Sequence, residues 1–175
     1  MKCDISDDHE WKTNIAVRTN QNTKCPYCSG QKVSKTNNLK TLYPAIAAQW
    51  HPTKNGELTP FDVTLSSYRR VWWKCPKGHD YDSRISHRTG KSKSGCPYCS
   101  GRRVSGENNL LSLFPEISKE WHPTKNGELK PEGVTPGSVK RVWWMCQIGH
   151  DYESRIGSRT RKKPTGCPHC YRNSS

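Results

Sequence analysis

A tandem array of small β+α modules, held at discrete nodes instead of around one large core, is the fold class this sequence predicts. Three observations predict it. Nine cysteines in 175 residues fall into three copies of one pattern, and a 71-residue stretch recurs without a gap. Leu, Ile, Val and Phe together number only 25 residues, about 14%, fewer than a charge-rich chain ordinarily needs to fold by apolar burial alone.

The cysteine pattern reads Cys75-x3-His79-x16-Cys96-x2-Cys99, then Cys146-x3-His150-x16-Cys167-x2-Cys170, and earlier Cys3-x5-His9-x15-Cys25-x2-Cys28. A Cys-x2-Cys knuckle offers two thiolates from one tight turn, and a short-spaced Cys and His complete a tetrahedral Zn²⁺ shell. Three structural Cys3His zinc ions per chain are therefore expected. With four protein ligands in each shell, no coordination position is left for substrate. A disulfide framework is the rival, but nine is an odd number, the N-terminus reads as no secretory signal, and residues in a Cys-Pro-x-Cys turn pair poorly. Each structural zinc contributes on the order of 10–16 kcal/mol to a small metal-nucleated fold, enough to stand in for the missing core. In the first site the Cys3 to His9 spacing is two residues longer than in the others, so Asp7 or Asp8 is an alternative ligand there and fraying makes that site the weakest.

Residues 29–99 and 100–170 agree at 42 of 71 aligned positions, including Asn37-Asn38-Leu39 with Asn108-Asn109-Leu110 and the run from Trp50 to Leu58 with Trp121 to Leu129. The N-terminal stretch reads as the second half of the same unit. The resulting organisation is a partial zinc module at 1–30, a full repeat with the second site at 31–101, a full repeat with the third site at 102–172, and a tail at 173–175.

The elements follow in order. Pro44 to Trp50 and Pro115 to Trp121 read as short helices, with Pro in the first turn and Ile46 and Trp50 four apart on one face. The Thr-Lys-Asn-Gly-Glu-Leu and Pro-Glu-Gly-Val-Thr-Pro-Gly stretches read as turns and linker. Val71-Trp72-Trp73-Lys74 is a β-type run into the Cys-Pro-Lys-Gly-His turn, and Tyr81 to Ile85 is the returning strand of a metal-pinned hairpin. Glycine and proline set the second knuckle.

These motifs carry a family resemblance. The order NNL, P-x-I-x3-W-H-P-T-K-N-G-E-L, V-W-W-x-C-x2-G-H-D-Y, R-I-x2-R-T and G-C-P-x-C resembles the tandem "probable zinc-ribbon" or treble-clef zinc finger domain family of unclear function, over nearly the whole chain. Some members of that family are joined to very-short-patch-repair-like endonuclease domains, which implies a nucleic-acid role. The clipped first copy and the lack of a nuclease domain within these 175 residues depart from that pattern, and a binding module rather than an independent catalyst is expected.

Charge points the same way. Lys and Arg number 29 against 15 acids, a formal +14, or about +11 once three zinc thiolate centres at −1 each are formed. The two complete repeats hold the excess, and their cations recur at equivalent places: Arg69-Arg70 with Lys140-Arg141, Arg84 and Arg88 with Arg155 and Arg159, Lys91 and Lys93 near Arg161, Lys162 and Lys163, and Arg102-Arg103 after the second knuckle. On an extended strand Arg84 and Arg88 project from one side, a row that suits a phosphate backbone. A solvated basic surface and an acidic protein partner are the alternatives.

Trp72-Trp73 and Trp143-Trp144 lie on successive, opposite-facing positions, so one indole of each pair covers the zinc hairpin and meets Ile85 or Trp50. Both indoles are expected to pack, because aromatics must replace aliphatics in such small cores; an outward Trp beside Arg would instead stack on an unpaired base or meet a protein partner. His51 and His122 are expected to hydrogen-bond locally, His169 to be no ligand, and His87 no catalyst. The function expected is thus a zinc-binding, nucleic-acid-binding protein, DNA slightly favoured, without enzymatic activity. A structural component of a protein or ribonucleoprotein assembly is the first alternative, and a nuclease accessory the second. Thiolate ligands suit a reducing intracellular compartment, and no apolar run is long enough for a membrane span.

Overall fold

The computed structural model describes residues 1–14, 16, 24–91 and 93–172; the tail at 173–175 lies outside them. Two compact units divide the chain, Met1–Cys96 and Pro97–Ser175.

In the first unit, β1 (Arg70–Lys74) pairs antiparallel with β2 (Asp80–Arg84), with Trp72 opposite Asp82 and Trp73 opposite Tyr81. Alternation along the pleat sends Val71, Trp73 and Tyr81 inward and Arg70, Trp72, Lys74 and Arg84 outward. The turn between the strands requires glycine: Gly78 has φ +86° and its N–H closes the turn on the Cys75 carbonyl at 2.8 Å. In the second unit β3 (Arg141–Met145) and β4 (Asp151–Arg155) repeat the hairpin with the same register. The N-terminal module has a single Lys2↔Glu10 bridge at the corresponding place.

The two Asn residues of each NNL motif have separate tasks. Asn38 caps the helix Leu39–Leu42 by accepting from Thr41 N, and its amide donates to the Ser34 and Lys35 carbonyls. Asn37 faces the preceding knuckle, donating to the Tyr27 and Lys32 carbonyls. Asn109 and Asn108 repeat both roles, Asn109 at the helix Leu110–Leu113 and Asn108 at the Tyr98 and Arg103 carbonyls. Proline then starts the short helices Pro44–Ala47 and Pro115–Ser118.

Each core is built on a tryptophan pair. Trp73 and Trp144 are fully buried, and each meets the Trp at the end of the preceding helical segment edge-to-face, Trp73 with Trp50 and Trp144 with Trp121, at 5.4 Å between centroids. Such pairs are worth about 0.5–1.5 kcal/mol beyond their area. In the second unit Leu110, Val134, Val142, Tyr152 and Ile156 surround Trp144, alongside the ligands Cys146 and Cys167, so apolar core and metal node are one structure.

The elements depart from the sequence reading in four places. The returning strands stop at Arg84 and Arg155, and Ile85–Thr89 and Ile156–Thr160 are helical, because burying both Ile85 and Arg88 against the hairpin requires a helical spacing. Leu39–Leu42 and Leu110–Leu113 are additional helices. Pro131–Gly133, within the expected linker, forms a 3₁₀ turn, and the third knuckle runs into the helix Pro168–Arg172. No helix among the described residues is long and apolar enough to cross a membrane.

Candidate metal centres and the basic hairpin faces

Three clusters gather the expected ligands: Cys3, His9, Cys25 and Cys28; Cys75, His79, Cys96 and Cys99; Cys146, His150, Cys167 and Cys170. A tetrahedron with Zn–S of about 2.3 Å and Zn–N of about 2.05 Å has S···S edges of about 3.8 Å and S···N edges of about 3.6 Å. The clusters match these edges. Sγ atoms lie 3.6 Å apart in Cys3–Cys28 and 3.7 Å apart in Cys146–Cys170, far beyond the roughly 2.05 Å of a disulfide. The histidine Nδ1 atoms lie 3.6 Å from Cys28, 3.4 Å from Cys75 and 3.5 Å from Cys170.

Nδ1 is thus the coordinating nitrogen throughout, and at His9 the other nitrogen is fixed as well. His9 Nε2 sits 3.0 Å from Ser34 Oγ and 3.1 Å from Thr36 Oγ1, partners that set the ring's orientation and tautomer. Tyr27 stacks on the same ring at 5.0 Å, and His169, at the equivalent knuckle position of the third site, packs on His150 at 5.5 Å. His169 is not a ligand. Asp8 is not one either: its carboxylate accepts from Lys35 N at 2.6 Å and from Ser6 Oγ, and Asp7 is outside the cluster.

The electrostatics of the clusters fit a cation. Desolvation within the cluster, with two neighbouring thiols, pushes Cys28 and Cys170 up to about 11 although Cys28 keeps contact with solvent. Burial also acts against ionisation of Cys146, but hydrogen bonds from the His150 and Ile148 N–H groups and from the Cys170 and Cys167 thiols together outweigh it and bring the thiol down to about 7. Thiols this close cannot all ionise at once without repulsion, so one gives up its proton while a neighbour holds its own, and a divalent ion at the centre would remove that conflict.

The sequence-derived basic residues separate into two groups. Arg69, Arg70, Arg84, Lys91, Lys93, Arg102 and Arg103 are exposed, as are Lys140, Arg141, Arg155, Arg161, Lys162 and Lys163. Arg88 and Arg159, expected in the phosphate row, are instead buried, at 6% and 5% exposure. Helix formation from Ile85 and Ile156 turns them inward. Arg88 donates to Gln49 Oε1 at 2.6 Å and lies 5.1 Å from the Trp73 ring; Arg159 pairs with Glu120 at 2.6 Å and lies 5.2 Å from the Trp144 ring. They are core residues, which the count of like charges could not reveal.

The outward tryptophans correct a second expectation. Trp72 and Trp143 are 38% and 36% exposed, because the alternation of a strand cannot bury two successive indoles on one side. Arg70 stands directly opposite Arg84, and Arg141 opposite Arg155, at the open ends of the two hairpins. Arg70 and Arg141 are ion-paired to Asp82 and Glu153; Arg84 and Arg155 form no ion pair among the described residues. His51 and His122 are buried and bonded locally, as expected, each Nδ1 accepting from two backbone N–H groups.

A family model described as a probable treble clef zinc finger domain matches residues 2–31, 46–102 and 117–173. Each matched segment contains one complete ligand cluster. No curated protein sequence matches the chain.

Proposed function

The chain belongs to the probable treble clef zinc finger domain family, and on that premise we propose that it is a nucleic-acid-binding protein whose zinc-pinned hairpins contact backbone phosphates, with DNA slightly favoured. The observation that carries the proposal is the repeated like-charge pair, Arg70 opposite Arg84 and Arg141 opposite Arg155. Like charges directly opposite on a sheet are destabilising; Asp82 and Glu153 offset one arginine of each pair, and an anion bound at the other would explain the arrangement. Arg69 and Lys140 extend each pair by one exposed cation. The preference for DNA rests on the endonuclease domains to which some relatives of this type are joined.

The proposal includes no catalytic step. Each cluster offers four protein ligands, which would complete a tetrahedral zinc shell and leave no position to activate water, as suits a structural metal. The test is a binding titration with duplex DNA, single-stranded DNA and RNA at two salt concentrations. Phosphate contact predicts affinity falling steeply with salt; absence of binding to all three, or binding indifferent to salt, overturns it. The second reading, a structural component of a protein or ribonucleoprotein assembly, draws support from exposed Tyr68 and Val139 beside the open hairpin ends, and such an apolar contact would persist at high salt.

A further inference from the structure

The outer face of each hairpin holds more than a pair of guanidinium groups. Trp72 lies two residues along β1 from Arg70, about 6.8 Å at strand rise, on the same outward face. Its backbone is pinned at both polar atoms by one side chain: Asn55 Oδ1 accepts from Trp72 N at 2.7 Å, and Asn55 Nδ2 donates to Trp72 O at 2.9 Å. Asn126 holds Trp143 in the same way, at 2.8 and 2.9 Å. An indole that stays exposed while its strand is fixed this firmly is pre-organised, so little ordering entropy remains to be lost when something covers it.

The surroundings select what that is. The Lys54 ammonium lies 4.8 Å from the Trp72 ring centroid, and Lys125 lies at the same distance from Trp143. The acids opposite the indoles, Asp82 and Glu153, are already engaged by Arg70 and Arg141, and Asp80 and Asp151 by Lys54 and Lys125. Among the described residues the cations of these faces without an ion pair are therefore Lys74 and Arg84 on the first hairpin and Arg155 on the second. A flat apolar surface beside a lysine ammonium, with a guanidinium pair one strand step away, complements a unit that carries an aromatic ring and an anion close together.

We infer that Trp72 and Trp143 are stacking platforms for unpaired bases of a nucleic acid strand, each with the adjoining phosphate on the cross-strand arginine pair. This rests on the phosphate-binding reading above and narrows it to single-stranded or locally opened nucleic acid, because a base paired inside a duplex cannot offer its face. Two platforms on equivalent hairpins make two such contacts along one chain. Stacking of a base on an aromatic side chain is sequence-tolerant, since every base has a π-face.

The test compares a fluorescent poly-dT strand, the same strand with abasic residues, and a DNA duplex, using the full zinc-loaded chain. The variants are Trp72→Leu with Trp143→Leu, Trp72→Phe with Trp143→Phe, and Arg84→Ala with Arg155→Ala. The Leu pair should bind poly-dT about tenfold or more weaker, the loss expected for removal of base stacking, and should bind the duplex as the parent does. The Phe pair should recover part of the loss, and the parent should bind the abasic strand only as well as the Leu pair binds poly-dT. The arginine pair should lose affinity for all three ligands. Equal binding of poly-dT by parent and Leu variant, or an equal Leu-variant loss on abasic strand or duplex, overturns the stacking platforms while leaving the phosphate reading standing. If the parent binds none of the three, the phosphate reading itself is wrong. Zinc content held at three per chain establishes that the variants are folded.

Discussion

His51 Nε2 lies 3.1 Å from Asp80 Oδ2, joining the turn after the Trp50 segment to the residue that follows the ligand His79. The ring is oriented from its other side, where Nδ1 accepts from Thr53 N and Lys54 N at 3.2 Å. His122 and Asp151 repeat the contact at 3.2 Å. The His-Pro-Thr-Lys motif is therefore a buttress for the metal-bearing hairpin.

The Lys54 ammonium and the His51 ring hold the Asp80 carboxyl below the usual carboxylate range. A carboxyl with a lowered folded pKa contributes stability that is complete above its unfolded value, about 3.9, and is lost as pH falls through the folded value. Asp80→Asn should thus cost the same at pH 7.5 and pH 8.5, measured by denaturant unfolding at fixed free zinc. A cost that appears only at the higher pH would contradict the assignment.

Elemental analysis should return three zinc ions per chain, and chelation should unfold the modules. Cys96→Ser or Cys167→Ser should release one ion and leave the other sites loaded, because stability in repeats is largely local. Two ions in the parent would mean that the first site is empty; iron, or disulfides without metal, would overturn the assignment.

The two buried arginines should respond unequally to removal. Arg159→Met leaves the partly buried Glu120 carboxylate with the Tyr152 hydroxyl alone, a loss of up to about 3–5 kcal/mol. Arg88→Met leaves two neutral acceptors, the Gln49 amide and the Ser94 carbonyl, and the cost should be nearer the roughly 1–3 kcal/mol of an orphaned polar group. Denaturant unfolding of the two variants at saturating zinc compares them, and equal losses would show that the Glu120 charge is immaterial.

Removing the exposed cations should act on binding alone. Arg69→Ala with Lys140→Ala should reduce the salt slope of nucleic-acid affinity by about one for each phosphate no longer neutralised, with zinc still at three per chain. An unchanged slope would assign these residues to solvated surface.

Asn38→Ala removes the cap of the helix Leu39–Leu42 and two further bonds to backbone carbonyls, and should destabilise the first unit by about 1 kcal/mol or more. Asn37→Ala should act instead on the knuckle of the first site, by removing the hydrogen bonds to the Tyr27 and Lys32 carbonyls. A selective fall in zinc affinity at that site, read by chelator competition, distinguishes the two.

The amino-acid sequence by itself determined the metal nodes, the repeat and the hairpins, since ligand type and spacing are local properties and thiolate pairs on a knuckle need little beyond their own turn. The strand Arg70–Lys74 and the segment starting at Pro44 were legible for the same reason, and so was the local bonding of His51 and His122. The tertiary structure alone decided which side of each element faces the core. Arg84 and Arg88 look alike in sequence, yet the helix that begins at Ile85 buries Arg88 against the Trp73 ring while Arg84, just before it, stays in solvent. Trp72 and Trp73 likewise have identical composition and opposite fates, fixed when Trp73 met Trp50 and the pleat turned its neighbour outward. Burial is a property of the partner surface, and that surface exists only once the metal has brought residues distant in sequence together.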